Sequence, residues 1–353
     1  MSDIHSRIEA FSKLGTFIKQ FSTTAPVYDP EIPENETFFE GFEQKIQQTT
    51  VNNTWFTREN IRYALEGWSE LLTAYNLKMW MSQYLLEDKE PKTIAIIMAG
   101  NIPMVGFHDL ISVLITGNKV IAKLSSNDKF LLPYLMEYLQ AIAPEFKEAI
   151  HFTEEKLEGY EAVIATGSNN TARYFEYYFG SKPNIIRKNR NSVAVLTGKE
   201  TEEEMKALAD DIFRYYGLGC RNVSKLFLPD DYDFDKFFNG IFHYKDIINE
   251  DKYANNYDYN KAVYLMSLFN ILENGFLMLK EDTSYASPIA TVFYEKYDNL
   301  NTLKNRLDSD RESIQCIVTG SGIEGAVDFG QSQRPGLSDY ADGIDTVRFV
   351  LNL

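Results

Sequence analysis

Cys220 is the residue whose neighbours best suit it to nucleophilic chemistry. It stands in Tyr216-Gly217-Leu218-Gly219-Cys220-Arg221-Asn222, just after two glycines and shortly before the apolar run Leu226-Phe227-Leu228. Glycines at such a junction allow a tight turn between a helix ending near Tyr216 and a strand, and amides in that turn can face the sulfur. An ordinary thiol, with a pKa of about 8.5, is only about 3% thiolate at neutral pH. A lowering by one or two units, through local N–H groups or Arg221, would make the nucleophile abundant. Isolated cysteines are more often small buried hydrophobes, so the rest of the chain must supply the context. The second cysteine, Cys316, lies in Ser313-Ile314-Gln315-Cys316-Ile317-Val318, which reads as a buried strand.

Three further turns carry polar groups suited to binding. Asn101 sits in Gly100-Asn101-Ile102-Pro103 after an uncharged run, where an Asx-turn is its plain reading. Lys123 ends the run Lys119-Val120-Ile121-Ala122-Lys123 and could simply snorkel to the surface. Thr166-Gly167-Ser168 follows Ala162-Val163-Ile164-Ala165. It reads as a loop with an N-cap, and a helix start of this kind can seat a pyrophosphate on its free N–H groups. His108 reads as a helix-start histidine. His151 and His243 lack metal-ligand spacing, and Asp339, Asp342 and Asp345 read as turn and capping residues, so no metal site is expected.

The elements that must position these residues follow an α/β pattern. Up to about residue 90 the apolar residues recur at helical spacing, with Ile8, Phe11, Leu14, Phe17 and Ile18 in one group and Ile61, Ala64, Leu65 and Trp68 in another; a loop spans Pro26 to Pro33. The aromatic residues here read as packing. From Thr93 to Ala99 an uncharged, β-branched run predicts a buried parallel strand. A helix from Val105 to Ile115, a strand at 119–124, a helix at about 128–143 and a strand at 162–165 alternate after it. Such alternation predicts a doubly wound sheet with right-handed crossovers and a ligand at the carboxyl ends of the strands. A second α/β unit follows, with a helix from Thr201 to Tyr216, strands at 225–228, 290–293 and 313–318, a helix at 261–272 and a last strand at 346–351. The expected division is a helical region over 1–90, an α/β domain over 91–197, to which 331–353 can also be assigned, and a second α/β domain over 198–330.

Composition excludes several classes. A chain of 353 residues, 44% hydrophobic, can bury a large core, and its net charge of −16 without a basic block argues against nucleic-acid binding. Two cysteines make no disulfide framework, which suits a cytoplasmic protein. No run of 18 apolar residues suggests a membrane span, and the N-terminus reads as an amphipathic helix.

The order of these turns resembles the aldehyde dehydrogenase superfamily, and more closely its acyl-CoA reductase branch, the reductase component of bacterial bioluminescence fatty-acid reductases. The resemblance covers roughly Lys92 to the C-terminus. Gly100-Asn101-Ile102-Pro103 is similar to that superfamily's Asn-x-Pro turn, Gly117-Asn118 to Lys123 to its strand ending in a cofactor lysine, and Thr166-Gly167-Ser168 to its Gly-Ser turn. The resemblance implies an aldehyde-dehydrogenase-like fold, with a cofactor-binding first domain and a catalytic second domain. It makes Cys220 the nucleophile and Asn101, with the Cys220 amide, an oxyanion donor; Lys123, Ser126, Thr166, Gly167 and Ser168 become cofactor residues. Where aldehyde-oxidising relatives carry a Glu-Leu-Gly-Gly base, Ile185 to Ser192 has no carboxylate, which suits a reductase that resolves its acyl-enzyme with hydride. Ser126 stands where NAD-preferring relatives often carry glutamate, which favours NADPH, with NADH as the alternative. The implied reaction is reduction of an acyl-CoA or acyl-carrier thioester to an aldehyde through an acyl-cysteine. Aldehyde oxidation and a non-catalytic acyl-binding subunit are the alternatives, and homo-oligomerisation is left open.

Overall fold

The computed structural model describes residues 3–87 and 89–353. Two compact units emerge, one running to Lys188 and taking in Gly336–Leu353, the other Asn189–Pro335.

The first unit opens with helices α1 (Ile4–Lys19), α2 (Asn35–Asn52), α3 (Arg58–Leu71) and α4 (Ala74–Met81). Asp3 caps α1 by accepting the Ser6 N–H at 2.9 Å, and Thr57 and Thr73 cap α3 and α4 in the same way. Next come β1 (Thr93–Ile97), α5 (Phe107–Ile115), β2 (Lys119–Lys123), α6 (Leu131–Ile142), β3 (Ile150–Phe152), β4 (Ala162–Thr166), α7 (Asn169–Phe179) and β5 (Asn184–Arg187). Aromatic residues of the helical region pack together, as expected of aromatics without basic residues between them. Phe17 of α1 stacks on Tyr138 of α6 with ring centroids 4.0 Å apart, and Phe42 of α2 meets Phe17 and Tyr134.

All five strands are parallel, in the order β3-β2-β1-β4-β5. Ile94, Ala95 and Ile96 are buried, which is why this run carries no charge. The chain winds outward from β1 through β2 to β3 and then returns to lay β4 on the other side of β1. That reversal is a topological switch point, and in such sheets ligands bind outside the carboxyl ends of the strands that flank it, here β1 and β4.

The second unit contains β6 (Asn191–Val195), α8 (Glu202–Phe213), β7 (Val223–Pro229), α9 (Phe234–Gly240), α10 (Asp251–Met266), β8 (Ile271–Glu273), β9 (Met278–Glu281), β10 (Thr291–Tyr297), α11 (Leu300–Ser309) and β11 (Ile314–Val318). Its sheet runs β11-β6-β7-β10-β9-β8, parallel except for β8. A reciprocal capping box starts α8: Thr201 accepts the Glu204 N–H at 3.1 Å and Glu204 accepts the Thr201 N–H at 2.7 Å. The segment at 192–196, expected with the first sheet, belongs to the second, because β6 pairs with β7 and β11.

Several element boundaries differ from expectation: the helix expected from 261 begins at Asp251, and the strand expected at 290–293 runs to Tyr297. The expected last strand at 346–351 is helix α12 (Thr346–Leu351), within the first unit. Short apolar runs read equally as strand or buried helix, and here Asp345 decides by accepting the Arg348 N–H at 2.8 Å. The helix expected to reach Tyr216 stops at Phe213, since Tyr215 and Tyr216 have φ of 54° and 59°. The helix expected to reach Leu272 stops at Met266, where Leu268 takes φ 57° in the place a glycine usually fills. The short strands β3, β5, β8 and β9 were not anticipated.

Candidate active site

Three segments at the carboxyl edge of the first sheet hold six of the residues singled out above. After β1 the chain turns through Met98–Gly106, and Asn101 is exposed on that turn. The Met98 N–H donates to the Lys123 carbonyl at 3.0 Å, which ties the turn to the loop after β2. Gly100 is required by close approach: a Cβ there would lie 2.4 Å from Ser125 Oγ and 2.6 Å from Ser125 Cβ. At the end of β2, Lys123 is half-buried with Nζ 3.4 Å from the Glu155 carbonyl, and on the loop that follows Ser126 is exposed. Asn52, at the end of α2, donates to the Ser126 carbonyl at 3.2 Å and thus steadies that loop from the helical side.

After β4, Thr166 and Gly167 lead into α7. The Ser168 hydroxyl caps that helix by accepting the Thr171 N–H at 3.3 Å. Its side chain therefore has the capping role that was its plain reading, and what the segment can offer an anion is backbone N–H. The sheet order puts the β1 turn with Asn101 between the Thr166-Gly167-Ser168 segment after β4 on one side and Lys123 and Ser126, at the end of β2, on the other.

The histidine and aspartates have structural work. His108 Nε2 lies 2.9 Å from the Leu337 carbonyl, its ring sits among Trp68, Trp80 and Tyr340, and burial holds its pKa below the ordinary value. Asp339 accepts the Gly336 N–H at 2.7 Å, and Asp345 caps α12. Asp109 and Arg187 form a buried bidentate pair to which Thr346 adds a bond, joining α5, β5 and α12. This arginine is one of three buried residues, with Ile185 and Ser192, in the segment that lacks the oxidising relatives' carboxylate. A cavity of about 410 Å³, lined by Tyr84, Lys92, Asn118 and Arg348, lies at the amino ends of β1 and β2, away from the switch point. Among the described residues no cluster of three metal-ligating side chains occurs, and no helix is long and apolar enough to cross a membrane.

In the second unit, Cys220 occupies the turn before β7 and is partly exposed. The turn is built on strain: Tyr215, Tyr216 and Gly217 are consecutive left-handed residues with φ of 54°, 59° and 75°. The two tyrosines have side chains that disfavour this conformation. Asn222 holds it. Its Oδ1 accepts the Gly219 N–H at 2.8 Å, and its Nδ2 donates to the carbonyls of Asp211 (3.1 Å), Ile212 (3.3 Å) and Arg214 (2.8 Å). One buried carboxamide thus closes the end of α8 and grips the cysteine turn. Ser192 Oγ donates to the Cys220 carbonyl at 3.0 Å, and a register shift between Ser192 and Val193 places an extra residue, Ser224, opposite them on β7.

Arg221 Nε donates to the Ser332 carbonyl at 2.5 Å and a terminal nitrogen lies 3.8 Å from Cys316 Sγ, so its charge is directed to the β11 side of the turn. Cys316 is buried on β11, as its apolar run implied. Asp211, fully buried on α8, accepts the N–H groups of Gly330 (2.6 Å) and Ser332 (2.9 Å). Burial pushes its carboxyl up to about 6, against the lowering effect of those donors. Asn222, Asp211 and Ser192 escaped the sequence reading. The available signal was a polar residue, Asn222, just before a strand and two positions after the cysteine.

A family model described as acyl-CoA reductase (LuxC) matches residues 34–239, more than half of the chain. The chain belongs to this family. An acyl-CoA reductase is an oxidoreductase that converts an acyl thioester to an aldehyde. The match begins within the helical region, which the motif resemblance treated only as a lead-in. Aldehyde dehydrogenase 21 from Physcomitrella patens, solved with the reaction product succinate, is similar with TM-score 0.69 and 12% identity, over 99% of this chain and 84% of that one. An aldehyde dehydrogenase from Bacillus cereus, solved with NAD+, gives TM-score 0.61 and 12% identity, over 90% of this chain and 72% of that one. An NADP dependent enzyme of E. coli gives TM-score 0.58 and 11% identity, over 93% and 78%. At such identities these establish the aldehyde-dehydrogenase-like fold. No curated protein sequence matches the chain.

Proposed function

We propose that this acyl-CoA reductase works through an acyl-cysteine on Cys220 and draws its reducing equivalents from NADPH, with NADH the less favoured donor. The Cys220 thiolate attacks the thioester carbonyl, the carbon–sulfur bond to coenzyme A or to a carrier thiol breaks, and the released thiol takes a proton. Asn101 and the Cys220 backbone N–H donate to the oxyanion in that addition and again when the thiohemiacetal forms. A bound NADPH supplies the hydride that reduces the acyl carbon. Collapse of the thiohemiacetal returns the sulfur as thiolate and releases the aldehyde.

In this reading the first unit binds the cofactor and the second carries the nucleophile. The donor chemistry at the switch point fits a dinucleotide: Lys123 offers a cation, Ser126 a hydroxyl that tolerates a 2′-phosphate, and the start of α7 backbone N–H groups. Two cysteines in 353 residues, too few for a disulfide framework, fit a reducing, cytoplasmic setting. The observation that carries the proposal is the construction of the Cys220 turn: three left-handed residues gripped by Asn222 are an expensive way to present an inert thiol.

The test is Cys220→Ala. It should abolish both acylation by acyl-CoA, read as a mass increase of the protein, and NADPH oxidation, while nucleotide binding persists. Retained turnover in that variant would overturn the proposal.

A further inference from the structure

The turn after β1 is held in a conformation its own residues do not favour. Met104 has φ 56°, a region that side-chain-bearing residues rarely occupy, so something outside the turn must select it. The partner is Asp128, whose Oδ2 accepts the Met104 N–H at 2.6 Å. Asp128 is 4% exposed, and its Oδ1 has no hydrogen-bond partner among the described residues. A carboxylate buried with one oxygen unpartnered is costly, which marks its single strong bond as the reason for its presence. Burial pushes its carboxyl up to about 6 and the Met104 N–H draws it back. Above that pH it is ionised and can only accept.

Around this bond the two loops interlock. Met98 donates to the Lys123 carbonyl, Gly100 presses against Ser125, Asp128 donates its own N–H to the Ser125 carbonyl at 3.1 Å, and Asn52 holds Ser126. Asn101 lies three residues before Met104, and Pro103 between them has a fixed φ, so a change at Met104 is passed along the turn.

We propose that Asp128 is a positioning residue for the reaction: it fixes the Asn101 turn to the loop carrying Lys123 and Ser126, so that oxyanion donor and cofactor-side loop form one piece. This rests on the reading of Asn101 as an oxyanion donor.

The test is the acylation half-reaction, which needs no nicotinamide: acyl-CoA is mixed with enzyme while coenzyme A thiol release and protein mass are followed. Asn101→Ala should slow acylation at saturating acyl-CoA by about 10²-fold or more. Asp128→Ala should slow it at least about tenfold, with the half-saturating acyl-CoA concentration within about twofold of wild type. The double variant should be little slower than Asn101→Ala alone, because a misplaced donor and an absent donor lose the same stabilisation. Asp128→Asn keeps an acceptor oxygen and should recover most of the rate. Asp128→Val fills the same space without an acceptor; it should be as slow as the alanine variant, and it serves if that variant does not fold. A wild-type rate in Asp128→Val or Asp128→Ala beside a slow Asn101→Ala overturns the proposal, as do losses that simply multiply in the double variant. An unaffected Asn101→Ala refutes the donor role itself, and the proposal falls with it.

Discussion

Asn222 makes a sign-sensitive prediction. Its carboxamide accepts one N–H, from Gly219, and donates toward three carbonyls at the end of α8. Removal in Asn222→Ala leaves these buried groups unmatched; at about 0.5–1.5 kcal/mol net for each of the four bonds, the loss of stability should be roughly 2–6 kcal/mol. Asn222→Asp tests the orientation of the amide. It keeps the acceptor for Gly219 but turns an ionised oxygen toward the three carbonyls, so at pH 7.5 it should be less stable than the alanine variant. Those carbonyls favour a protonated side chain, so the native pKa of the new Asp is raised above its unfolded value. Its stability is then fully present below the unfolded pKa and lost as pH rises through the folded one. Lowering the pH from 7.5 to 5 should therefore improve Asn222→Asp relative to Asn222→Ala. Urea unfolding followed at both pH values, with the rate of Cys220 alkylation as a local readout, checks both orders. If Asn222→Asp is the more stable variant at pH 7.5, or gains nothing on acidification, the amide does not face the carbonyls and the account of the turn is wrong.

Two further outcomes follow from the first unit. Gly100→Ala would put a Cβ against Ser125, so it should lower the acylation rate at least about tenfold, and adding Ser125→Gly, which removes both clashing atoms, should restore part of the loss in the same coenzyme A release assay. Asp128 has a carboxyl raised to about 6, so below about pH 4 its protonated form adds most to stability, and that contribution declines as pH rises to 6. Unfolding free energies of Asp128→Asn and wild type should accordingly diverge by about 2–3 kcal/mol in favour of the Asn variant between pH 4 and pH 7, whatever constant offset separates them. A pH-independent difference would show that Asp128 is not perturbed.

What could be read in the sequence was what local pattern encodes. Short β-rich runs, uncharged in β1 and β4 and bounded by lysines in β2, announced these strands, and the polar residues at their ends announced Asn101, Lys123 and Thr166-Gly167-Ser168, because in a parallel sheet the carboxyl ends of the strands stand at one edge. The strands of three or four residues escaped because so few positions establish no period. The supports of the site escaped for a different reason: each is one side chain bonded to backbone far away in sequence, Asp128 to Met104, Asp211 to Gly330 and Ser332, and Ser192 to Cys220. The same non-local bonding explains the misplaced helix end at Tyr216, since left-handed backbone at a tyrosine has no local signature. Of the seven non-glycine residues with left-handed φ among the described residues, Met104, Tyr215 and Tyr216 lie within five residues of Asn101 or Cys220. Local preference and final structure thus disagree beside both residues assigned to the chemistry, and in each case a buried amide or carboxylate resolves the disagreement. That is the pattern expected where a turn is kept for what it presents rather than for its own stability.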